Sequence, residues 1–359
     1  MFNLKTNGSD MRALVTGGGG FLGKALVTRL RSSGVDVCSL ARSDYPELGT
    51  LGAECVRGDV ADADTVLRAA ERCDVVFHVA AKAGVWGRYE EYYRANVVGT
   101  ENVLTACRTH GIPRLVYTSS PSVVFNGQDE AGANESVPYP DTYLTYYPQT
   151  KAIAERAVLS ANGKKLANGN LLSTVALRPH LIWGPGDNHL VPRLIERARQ
   201  GKLRRVGDGT NLVDTVFIDN AVDAHLLAAE KLSPDSAVAG KAYFITNGEP
   251  VPLWDLIDRM LACADLPPVT RRISARAAYV AGSILETVYR WTGRTDEPPM
   301  TRFVARQLAT AHWFDITAAR RDLGYVPQVT VDEGLKRLAE WLRQTGQCHD
   351  DGSSSRPNR

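Results

Sequence analysis

The chain lacks the patterns that mark metal-binding proteins and disulfide-stabilised domains. Its six cysteines form no C-x-x-C pair, and no metal-ligand cluster is visible among them and the seven histidines. Most of the cysteines stand in apolar or helical contexts, which is typical of reduced, buried thiols in a cytosolic protein. The sequence therefore predicts no metal site and a cytoplasmic location. The six positions are Cys38, Cys55, Cys73, Cys107, Cys263 and Cys348.

A strong net charge and a long apolar run are also missing. The 42 basic and 40 acidic residues leave a formal net charge of +2 in 359 residues, which gives no general case for binding nucleic acid or an anionic membrane. No stretch approaches the roughly 18 uninterrupted apolar residues of a membrane-spanning helix. Residues 277–291 come nearest, but they include Glu286 and Arg290. The composition is ordinary for a globular protein, and the length of 359 residues predicts one large or two modest domains.

The two ends of the chain carry no targeting pattern. Residues 1–10 contain no apolar core of a signal peptide, and Met11 directly precedes the first apolar run. Residues 347–359 are rich in Ser, Asp and Arg. Both ends are predicted to be disordered extensions.

A glycine-rich turn after the first apolar run organises the rest of the chain. Gly17, Gly20 and Gly23 stand at G-x-x-G-x-x-G spacing, between the short apolar run 13–15 and a helical pattern over 21–31. Glycines there permit a tight turn, a close approach of the backbone to a pyrophosphate, and close packing of helix on strand. The helix N-terminus then presents free N–H groups to the phosphates. The turn predicts a dinucleotide site.

Strand and helix patterns alternate from this turn to about residue 180, which predicts a doubly wound parallel α/β sheet of the Rossmann type. Beyond it, the pattern changes to mostly helices and one further strand at 242–246. We predict an NADP-binding domain over 11–180, completed by residues of about 212–247. A smaller, mostly helical substrate lobe would comprise 181–211 and 248–346. Strands are predicted near 14–15, 35–40, 54–57, 75–79, 115–119 and 174–177, and helices at 61–72, 90–110, 145–159, 191–200, 218–231, 252–263, 275–291 and 331–344.

The end of the second strand indicates which dinucleotide is bound. NAD-binding folds place a carboxylate there for the ribose 2′-hydroxyl, but this segment ends with Arg42, whose guanidinium suits a 2′-phosphate. NADPH is therefore predicted, with NADH as the weaker alternative because Asp44 lies nearby. Arg42 as a solvated surface residue is the other interpretation.

A phenol and an ammonium group four residues apart form the candidate reactive centre. Tyr147 and Lys151 share one face of a predicted helix, and a nearby lysine charge is expected to lower the pKa of a tyrosine. The preceding strand ends near Ser120, whose hydroxyl can hydrogen-bond a carbonyl or an alkoxide, and Ser122 is a second candidate for that role. The Y-x-x-x-K spacing is common in proteins. The prediction of a reactive centre therefore depends on the position of this helix one connection after the strand that ends near Ser120.

Seven motifs in order give the chain a family resemblance. They run through Gly17-x-x-Gly20-x-x-Gly23, Asp59-Val60, His78-Val79-Ala80-Ala81, Asn96-Val97-Val98-Gly99-Thr100, Thr118-Ser119-Ser120, Tyr147-x-x-x-Lys151 and Arg178-Pro179-x-x-x-x-Gly184-Pro185-Gly186-Asp187. Together they resemble the extended short-chain dehydrogenase/reductases over roughly residues 11–345. Two departures are Trp183, where many relatives have tyrosine, and Val124-Phe125, where sugar epimerases usually show Val-Tyr-Gly.

The resemblance implies a role for each matching residue. Tyr147 would be the proton donor or acceptor, Ser120 its partner, and Lys151 would also bind the nicotinamide ribose. The cofactor set implied by the glycine turn and these motifs is Gly17, Gly20, Phe21, Leu22, Gly23, Arg42, Asp59, Val60, Ala80, Ala81, Asn96, Tyr147, Lys151, Pro179 and Leu181. Asp59 and Val60 would contact adenine, Ala80 and Ala81 would line the cofactor near its ribose, and Asn96 would support the site's geometry. The backbone around Pro179 and Leu181 would hold the carboxamide.

Further motifs indicate a branch of the family. Gly207-Asp208-Gly209-x-Asn211-x-x-Asp214 and Ile218-Asp219-Asn220-Ala221-x-x-Ala224-His225 look like 3β-hydroxysteroid and sterol dehydrogenases, whereas residues 80–87 and 181–189 look like the bacterial 2-alkyl-3-oxoalkanoate reductases. The latter resemblance implies NADPH-dependent reduction of a long-chain β-keto acid in olefin biosynthesis. It also implies partnership with a β-lactone synthetase and a decarboxylase, with membrane association through such partners, and a homodimer is possible.

Three alternatives and four candidate substrate residues complete the prediction. The alternatives are an NAD(P)-dependent sterol or 3β-hydroxysteroid dehydrogenase, a nucleotide-sugar epimerase or dehydratase, and a non-catalytic NADPH-sensing scaffold. The intact Ser120, Tyr147 and Lys151 argue against the scaffold. The candidate substrate residues are Trp86, Ser122, His180 and Trp183. The apolar segment 277–285 would cradle alkyl chains, lie on a membrane or partner, or simply form the core of the lobe.

Overall fold

The computed structural model of the protein describes residues 11–347, so the disorder predicted for 1–10 and 347–359 lies outside the described residues except at Gln347. The strands are β1 Arg12–Thr16, β2 Asp36–Ala41, β3 Glu54–Arg57, β4 Val75–His78, β5 Arg114–Thr118, β6 Glu130–Ala133, β7 Ser173–Pro179, β8 Ile182–Trp183, β9 Arg205–Val206, β10 Leu212–Val213, β11 Val216–Phe217, β12 Lys241–Ile245, β13 Val251–Pro252, β14 Arg272–Ile273 and β15 His312–Phe314. The helices are α1 Phe21–Ser32, α2 Pro46–Thr50, α3 Ala63–Ala69, α4 Tyr89–Tyr92, α5 Gly99–His110, α6 Tyr146–Ala161, α7 Leu190–Arg199, α8 Ile218–Lys231, α9 Leu253–Ala262, α10 Ala275–Trp291, α11 Arg302–Ala309 and α12 Val331–Gln344.

Seven parallel strands form the central sheet in the order β12-β7-β5-β4-β1-β2-β3. This order confirms the predicted doubly wound sheet of the Rossmann type. The alternation of side chains along β1 explains why both faces are covered by helices. Ala13 and Val15 join the core layer that contains residues of α1 and α8, whereas Leu14 joins the opposite layer with residues of α3, α5 and α6.

The strands that end at the carboxyl edge of the sheet position the site. Thr16, His78 and Thr118 are the last residues of β1, β4 and β5, and all three are buried. Because the strands are parallel, their carboxyl ends lie at one edge, where open α/β sheets bind their ligands. The glycine turn, the segment after β4 and the segment after β5 therefore converge.

A second sheet, which the sequence patterns did not predict, joins β6 from the first half of the chain to three strands from the second half. Its order is β13-β10-β15-β6, and its strands are two to four residues long. Glu130 of β6 pairs with His312 of β15, 182 residues away in the chain. Strands this short carry no readable periodicity, and their partners are distant in sequence. The predicted boundaries of the substrate lobe stay a prediction.

The described residues also bear on metals, cysteines and membranes. Between residues 11 and 347, no group of three or more His, Cys, Asp or Glu side chains is placed to hold a metal ion. Cys38, Cys73 and Cys107 are buried, whereas Cys55 is exposed. Over the same range, no helix combines the length and the apolar character needed to cross a bilayer.

Candidate functional site

The glycine turn joins β1 to α1 in a geometry that only small residues permit. Gly17 has φ +73°, and a Cβ there would lie 2.9 Å from the Ala80 backbone. A Cβ on Gly23 would lie 2.1 Å from the Gly17 carbonyl oxygen, so the helix could not approach the turn. The Gly17 N–H donates to Leu40 O at 2.7 Å, and no side chain caps the N-terminus of α1. The first amides of α1, at Phe21 and Leu22, are therefore available to an anion.

The end of β2 presents an unpaired guanidinium beside the turn. Arg42 is exposed, and within residues 11–347 it makes no ion pair with a carboxylate. Asp44, the residue expected to favour NAD, pairs instead with Arg57 at 3.2 Å. The ring of Tyr45 lies across the turn, so that a Cβ on Gly19 would come within 1.9 Å of the ring. Tyr45 was not singled out from the sequence.

The predicted adenine side lies between β3 and α5. Asp59 accepts from the Ala61 N–H at 3.0 Å and pairs with Arg94 at 3.4 Å, and Val60 is buried. In the segment after β4, the Ala80 N–H donates to the Thr16 hydroxyl at 3.2 Å, and this hydrogen bond fixes the segment against the turn. Ala81, the next residue, is exposed. The structure places these predicted cofactor residues at the carboxyl edge of the sheet.

Asn96 connects the segment after β4 to α6. Its amide oxygen accepts from the Lys82 N–H at 2.7 Å, and its amide nitrogen donates to Lys82 O at 3.1 Å and to the Thr150 hydroxyl at 3.0 Å. Asn96 lies in a π-helical turn, Tyr93–Val98, that interrupts the long helix predicted over 90–110. Such turns are frequent at functional sites because they re-aim a side chain.

Ser120 and Tyr147 meet where β5 ends and α6 begins. The Ser120 and Ser122 hydroxyls are 2.9 Å apart, and the Ser122 N–H donates to the Ser120 hydroxyl at 3.3 Å. Burial raises the pKa of Tyr147, and its hydrogen bond with Ser120 opposes that rise. The sequence interpretation expected Lys151 to lower this pKa. In the structure, burial favours the neutral phenol of Tyr147, and the hydrogen bond with Ser120 is the interaction that opposes this effect.

Lys151 is buried one helical turn beyond Tyr147. Its ammonium group donates to Thr118 O at 2.5 Å and lies 4.1 Å from the centre of the Tyr117 ring. Burial lowers the pKa of Lys151 to about 7, whereas the charge of Glu155 opposes that shift. The lysine is therefore poised between its charged and neutral forms near neutral pH.

The segment after β7 carries the remaining predicted residues. Leu181, after Pro179, has φ +44°, a strained conformation for a non-glycine residue that is often found at functional sites. His180 is buried and its Nδ1 lies 3.2 Å from Asp214. Trp183 is fully buried, donates to the Thr215 hydroxyl at 2.9 Å, and packs in the core. This position differs from the prediction that Trp183 contacts the substrate, because the indole has no open face.

An aromatic cavity of about 420 Å³ adjoins the start of α6. Trp86, Tyr89 and Tyr146 line it, so Trp86 shares the cavity with the first residue of α6, and its predicted contact with substrate stays a prediction. Arg302 and Arg290 also line the cavity, and both pair with the buried Glu286, at 2.8 Å and 3.4 Å. A cavity of this size and character is typical of small-molecule sites. A second cavity of about 660 Å³ lies beside the glycine turn, with Phe21 and Tyr45 in its wall.

A family model decides the classification. The model described as the 3-beta hydroxysteroid dehydrogenase/isomerase family matches residues 14–271. The chain belongs to this family. Its members are extended short-chain dehydrogenase/reductases, so the protein is an oxidoreductase that acts on CH–OH and C=O groups.

Relatives of the dehydrogenase family cover nearly the whole chain. The chain is 55% identical over 331 residues to the 2-alkyl-3-oxoalkanoate reductase of Stenotrophomonas maltophilia, covering 91% of this chain and 98% of that one. It is 37% identical over 335 residues to the decarboxylating sterol-4-alpha-carboxylate 3-dehydrogenase of Mus musculus, with 92% and 90% covered. Among solved structures, MoeE5 in complex with UDP-glucose and NAD matches with a TM-score of 0.71 and 29% identity, over 94% of this chain and 99% of that one.

This member of the dehydrogenase family buries two further titratable groups, Glu155 and His78, to which the sequence patterns gave no role. Glu155 lies one turn beyond Lys151 and is fully buried. It accepts from Arg178 at 2.6 and 3.0 Å and from the Tyr139 hydroxyl at 2.6 Å. His78, also missed, lies 2.7 Å from the Thr16 hydroxyl and 3.0 Å from Thr100, and burial lowers its pKa to about 3. The spacing of Tyr147, Lys151 and Glu155 on one helix face was the available signal for Glu155.

Proposed function

We propose that the protein reduces a long-chain 2-alkyl-3-oxoalkanoate, a β-keto acid, to the 2-alkyl-3-hydroxyalkanoate with NADPH. The observation that carries the proposal is the 55% identity to a 2-alkyl-3-oxoalkanoate reductase over 98% of that relative. Tyr147 follows Tyr146, which lines the aromatic cavity, and this supports the proposal because carbonyl reduction needs a proton donor next to an apolar substrate site.

The chain's residues fit a nicotinamide dinucleotide. A Cβ on Gly17 or Gly23 would collide with neighbouring backbone, so these glycines keep the turn tight, and the N-terminus of α1 has no side-chain cap. Gly20, Phe21 and Leu22 would hold the pyrophosphate, and Arg42 would bind the 2′-phosphate of NADPH. When bound, the dinucleotide supplies the hydride for the carbonyl carbon. NADH is the weaker alternative, because Asp44, the carboxylate that would bind its ribose 2′-hydroxyl, forms an ion pair with Arg57.

Tyr147 supplies the proton in this proposal. Because burial favours its neutral form, the phenol is protonated at neutral pH and can donate to the carbonyl oxygen as that oxygen gains negative charge. The Ser120 hydroxyl donates a hydrogen bond to the same oxygen and stabilises the developing alkoxide. Lys151, held by Thr118 O, supports the phenolate that remains and fixes the ribose.

The aromatic cavity suits an alkyl chain that carries one negative charge. Trp86 and Tyr89 offer apolar ring surface. Arg290 and Arg302 share a single carboxylate, Glu286, so this group of three side chains carries a net positive charge inside the cavity. A guanidinium is well suited to bind the substrate carboxylate. We infer that Arg290, the more exposed of the two, makes this contact.

The remaining expectations follow the resemblance. We propose that the protein acts in olefin biosynthesis with a β-lactone synthetase and a decarboxylase, that it is cytoplasmic and associates with membranes through such partners, and that it forms a homodimer. We also propose the division into an NADP-binding domain over 11–180 and 212–247 and a substrate lobe over 181–211 and 248–346.

A sterol or 3β-hydroxysteroid dehydrogenase is the second candidate. The 37% identity to a mouse sterol-4-alpha-carboxylate 3-dehydrogenase favours it. The two candidates act on substrates of different shape, since a sterol is a rigid ring system and a 2-alkyl-3-oxoalkanoate has two flexible chains.

One assay separates these candidates. Purified protein is mixed with NADPH or NADH and a 2-alkyl-3-oxoalkanoate, and the loss of reduced cofactor is followed by its absorbance. Oxidations are followed in separate mixtures of NADP⁺ or NAD⁺ with a 2-alkyl-3-hydroxyalkanoate, a 3β-hydroxysterol or a UDP-sugar, by the gain of reduced-cofactor absorbance. We expect turnover with the β-keto acid and NADPH. Turnover with the sterol alone would replace the proposal by the second candidate.

A further inference from the structure

Helix α10 exposes a continuous apolar face. Its opposite face packs against α11, so closely that a Cβ on Gly282 would lie 2.6 Å from the Thr301 carbonyl carbon. The outer face carries four large apolar side chains at a spacing that keeps them on one side of the helix. They are Val280, Ile284, Val288 and Trp291, with 48%, 59%, 45% and 90% of their surface exposed. We call these four residues the α10 face.

The density of net charge around the α10 face differs from that of the chain as a whole. Residues 270–297 contain five arginines and three carboxylates, and their net charge of +2 equals that of the whole 359-residue chain. Glu286 is buried and pairs with Arg302 and Arg290, Asp296 pairs with Arg294, and Glu297 pairs with Arg193. Arg271, Arg272 and Arg276 form no ion pair with any carboxylate in the described part of the chain, 11–347. The segment therefore concentrates positive charge, whereas positive and negative charges balance in the rest of the chain.

We propose that the α10 face docks on an anionic lipid surface. An interfacial helix lies in the plane of a bilayer, with aliphatic and Trp side chains below the headgroups and arginines beside them. Trp291 matches the aromatic preference for the interface, and Arg271, Arg272 and Arg276 match the negative headgroups. The charge complementarity favours anionic lipid over a second copy of this chain, because a second copy would bring its own five arginines to the contact.

Docking in this orientation would place the aromatic cavity beside the lipid. Tyr289 and Arg290 of α10 both contact Trp86 of the cavity: the Trp86 and Tyr289 ring centres are 6.1 Å apart, and Arg290 lies 5.6 Å from the Trp86 ring. The Trp86 indole also donates to Arg294 O at 3.2 Å, just beyond the helix. A substrate with long alkyl chains could pass from the bilayer to the cavity along α10. This step rests on the proposed function, whereas the docking does not.

Vesicle co-sedimentation tests the docking. The full chain is mixed with phosphatidylcholine vesicles that contain roughly one quarter phosphatidylglycerol, or none. We expect binding to the anionic vesicles only, weakened when the salt is raised from about 0.1 M to about 0.5 M. The double variant Ile284→Ser/Trp291→Ser is expected to bind at least about tenfold more weakly, because it loses two apolar side chains that docking would bury in the bilayer. The control Leu51→Ser/Val326→Ser alters two exposed apolar residues elsewhere and is expected to bind like the unmodified chain.

Two further measurements keep the outcomes distinct. Arg271→Gln/Arg272→Gln/Arg276→Gln is expected to lose the preference for anionic vesicles, while circular dichroism reports that the fold is retained. Sedimentation velocity reports oligomeric state: a dimer that becomes a monomer in Ile284→Ser/Trp291→Ser, together with no vesicle binding by the unmodified chain, would assign the face to a second copy and overturn the proposal. Equal binding of both double variants would overturn it as well.

Reductase activity separates this proposal from the proposed function. A short-chain, water-soluble 2-alkyl-3-oxoalkanoate without vesicles should be reduced equally by the unmodified chain and Ile284→Ser/Trp291→Ser. No reduction by either, with vesicle binding that still depends on α10, would remove the proposed function and leave the docking in place. Equal reduction without any vesicle binding would remove the docking and leave the proposed function.

Discussion

The sheet edge buries polar side chains, whereas helix α10 exposes large apolar side chains. At the sheet edge, His78, Asn96 and Lys151 are polar or charged yet almost completely buried. In α10, the large apolar side chains Ile284 and Trp291 are exposed to solvent. Each region departs from the usual distribution of residues, in which polar groups are outside and large apolar groups inside. Departures of this kind need a physical reason, and the two regions have different ones.

At the sheet edge the reason is that His78, Asn96 and Lys151 each have a partner that orients them. Asn96 makes three hydrogen bonds, and Glu155 receives three from Arg178 and Tyr139. A polar group that is fully satisfied in a low-dielectric interior is held rigidly. On α10 the apolar groups have no such internal partners, so their surface remains available to something outside the molecule. Under the proposed function and the proposed docking, chemistry would be set at the sheet edge and recognition on α10.

The largest effect that tests this division is expected at Tyr147. Replacing Tyr147 with Phe removes only the hydroxyl, so carbonyl reduction is expected to slow by about 10²- to 10⁴-fold, the usual contribution of a positioned proton donor. NADPH binding, measured by calorimetry, should stay close to that of the unmodified protein, because the glycine turn is untouched. Turnover is measured by NADPH absorbance with a short-chain β-keto acid.

The matched change in the lobe is Trp291→Ser, which is expected to leave that turnover unchanged. If Tyr147→Phe kept its activity, Tyr147 would not be the proton donor. If Trp291→Ser lost activity on a water-soluble substrate, the separation between chemistry and recognition would be wrong.

A large effect on stability is expected at Glu155. Its pair with Arg178 is buried, so Glu155→Ala leaves a guanidinium without compensation, and the free energy of unfolding should fall by about 3–5 kcal/mol. In the C-terminal part, Glu333→Ala breaks an exposed i,i+4 pair with Arg337 and should cost less than about 1 kcal/mol. Urea denaturation measures both. Similar losses for the two variants would contradict the contrast between buried and exposed charge.

Local patterns account for what the sequence predicted. The seven-stranded sheet, the glycine turn and the position of Tyr147 and Lys151 on one helix each follow from residues within about one strand or helix of one another, where periodicity and spacing are readable. The roles assigned to Ser120, Tyr147, Lys151 and the cofactor residues stay predictions, although the structure brings them to one edge of the sheet.

Contacts between distant segments account for what it missed. The Arg178–Glu155 pair joins residues 23 apart, and β6 and β15 pair across 182 residues. Tyr45 is placed on the glycine turn by the loop after β2, which no repeat in the sequence marks. The π-helical turn at Asn96 was also missed, because the residues around it have an ordinary helical pattern. Such features depend on tertiary packing.

A moderate effect of pH is expected from the buried histidine His225. It is fully buried, its Nε2 lies 2.9 Å from the Thr118 hydroxyl, and burial lowers its pKa to about 4. Between about pH 6.5 and pH 4 the unfolded chain therefore binds a proton that the native protein does not. The free energy of unfolding falls as the pH falls through this window, by about 1.4 kcal/mol per pH unit for this group.

The variant His225→Gln isolates that contribution. It should be less stable at pH 7, but its free energy of unfolding should fall less steeply between pH 6.5 and pH 5, as measured by urea denaturation at several pH values. A slope equal to that of the unmodified protein would show that His225 does not titrate as its burial implies. His78, whose pKa is lowered to about 3, contributes in the same direction and stays unchanged in the variant.

The smallest effect is expected at the outer edge of the site, where Arg42 is exposed. An exposed guanidinium contributes little to the fold, so Arg42→Asp should leave stability within about 0.5 kcal/mol of the unmodified protein. The carboxylate would repel a 2′-phosphate and accept from a ribose 2′-hydroxyl, so the NADPH-to-NADH ratio of kcat/KM should fall at least about tenfold, or about 1.4 kcal/mol. The control Arg57→Ala frees Asp44 from its ion pair and leaves Arg42 in place. A smaller decrease is expected there, and an unchanged ratio in Arg42→Asp would remove the assignment of NADPH to this arginine.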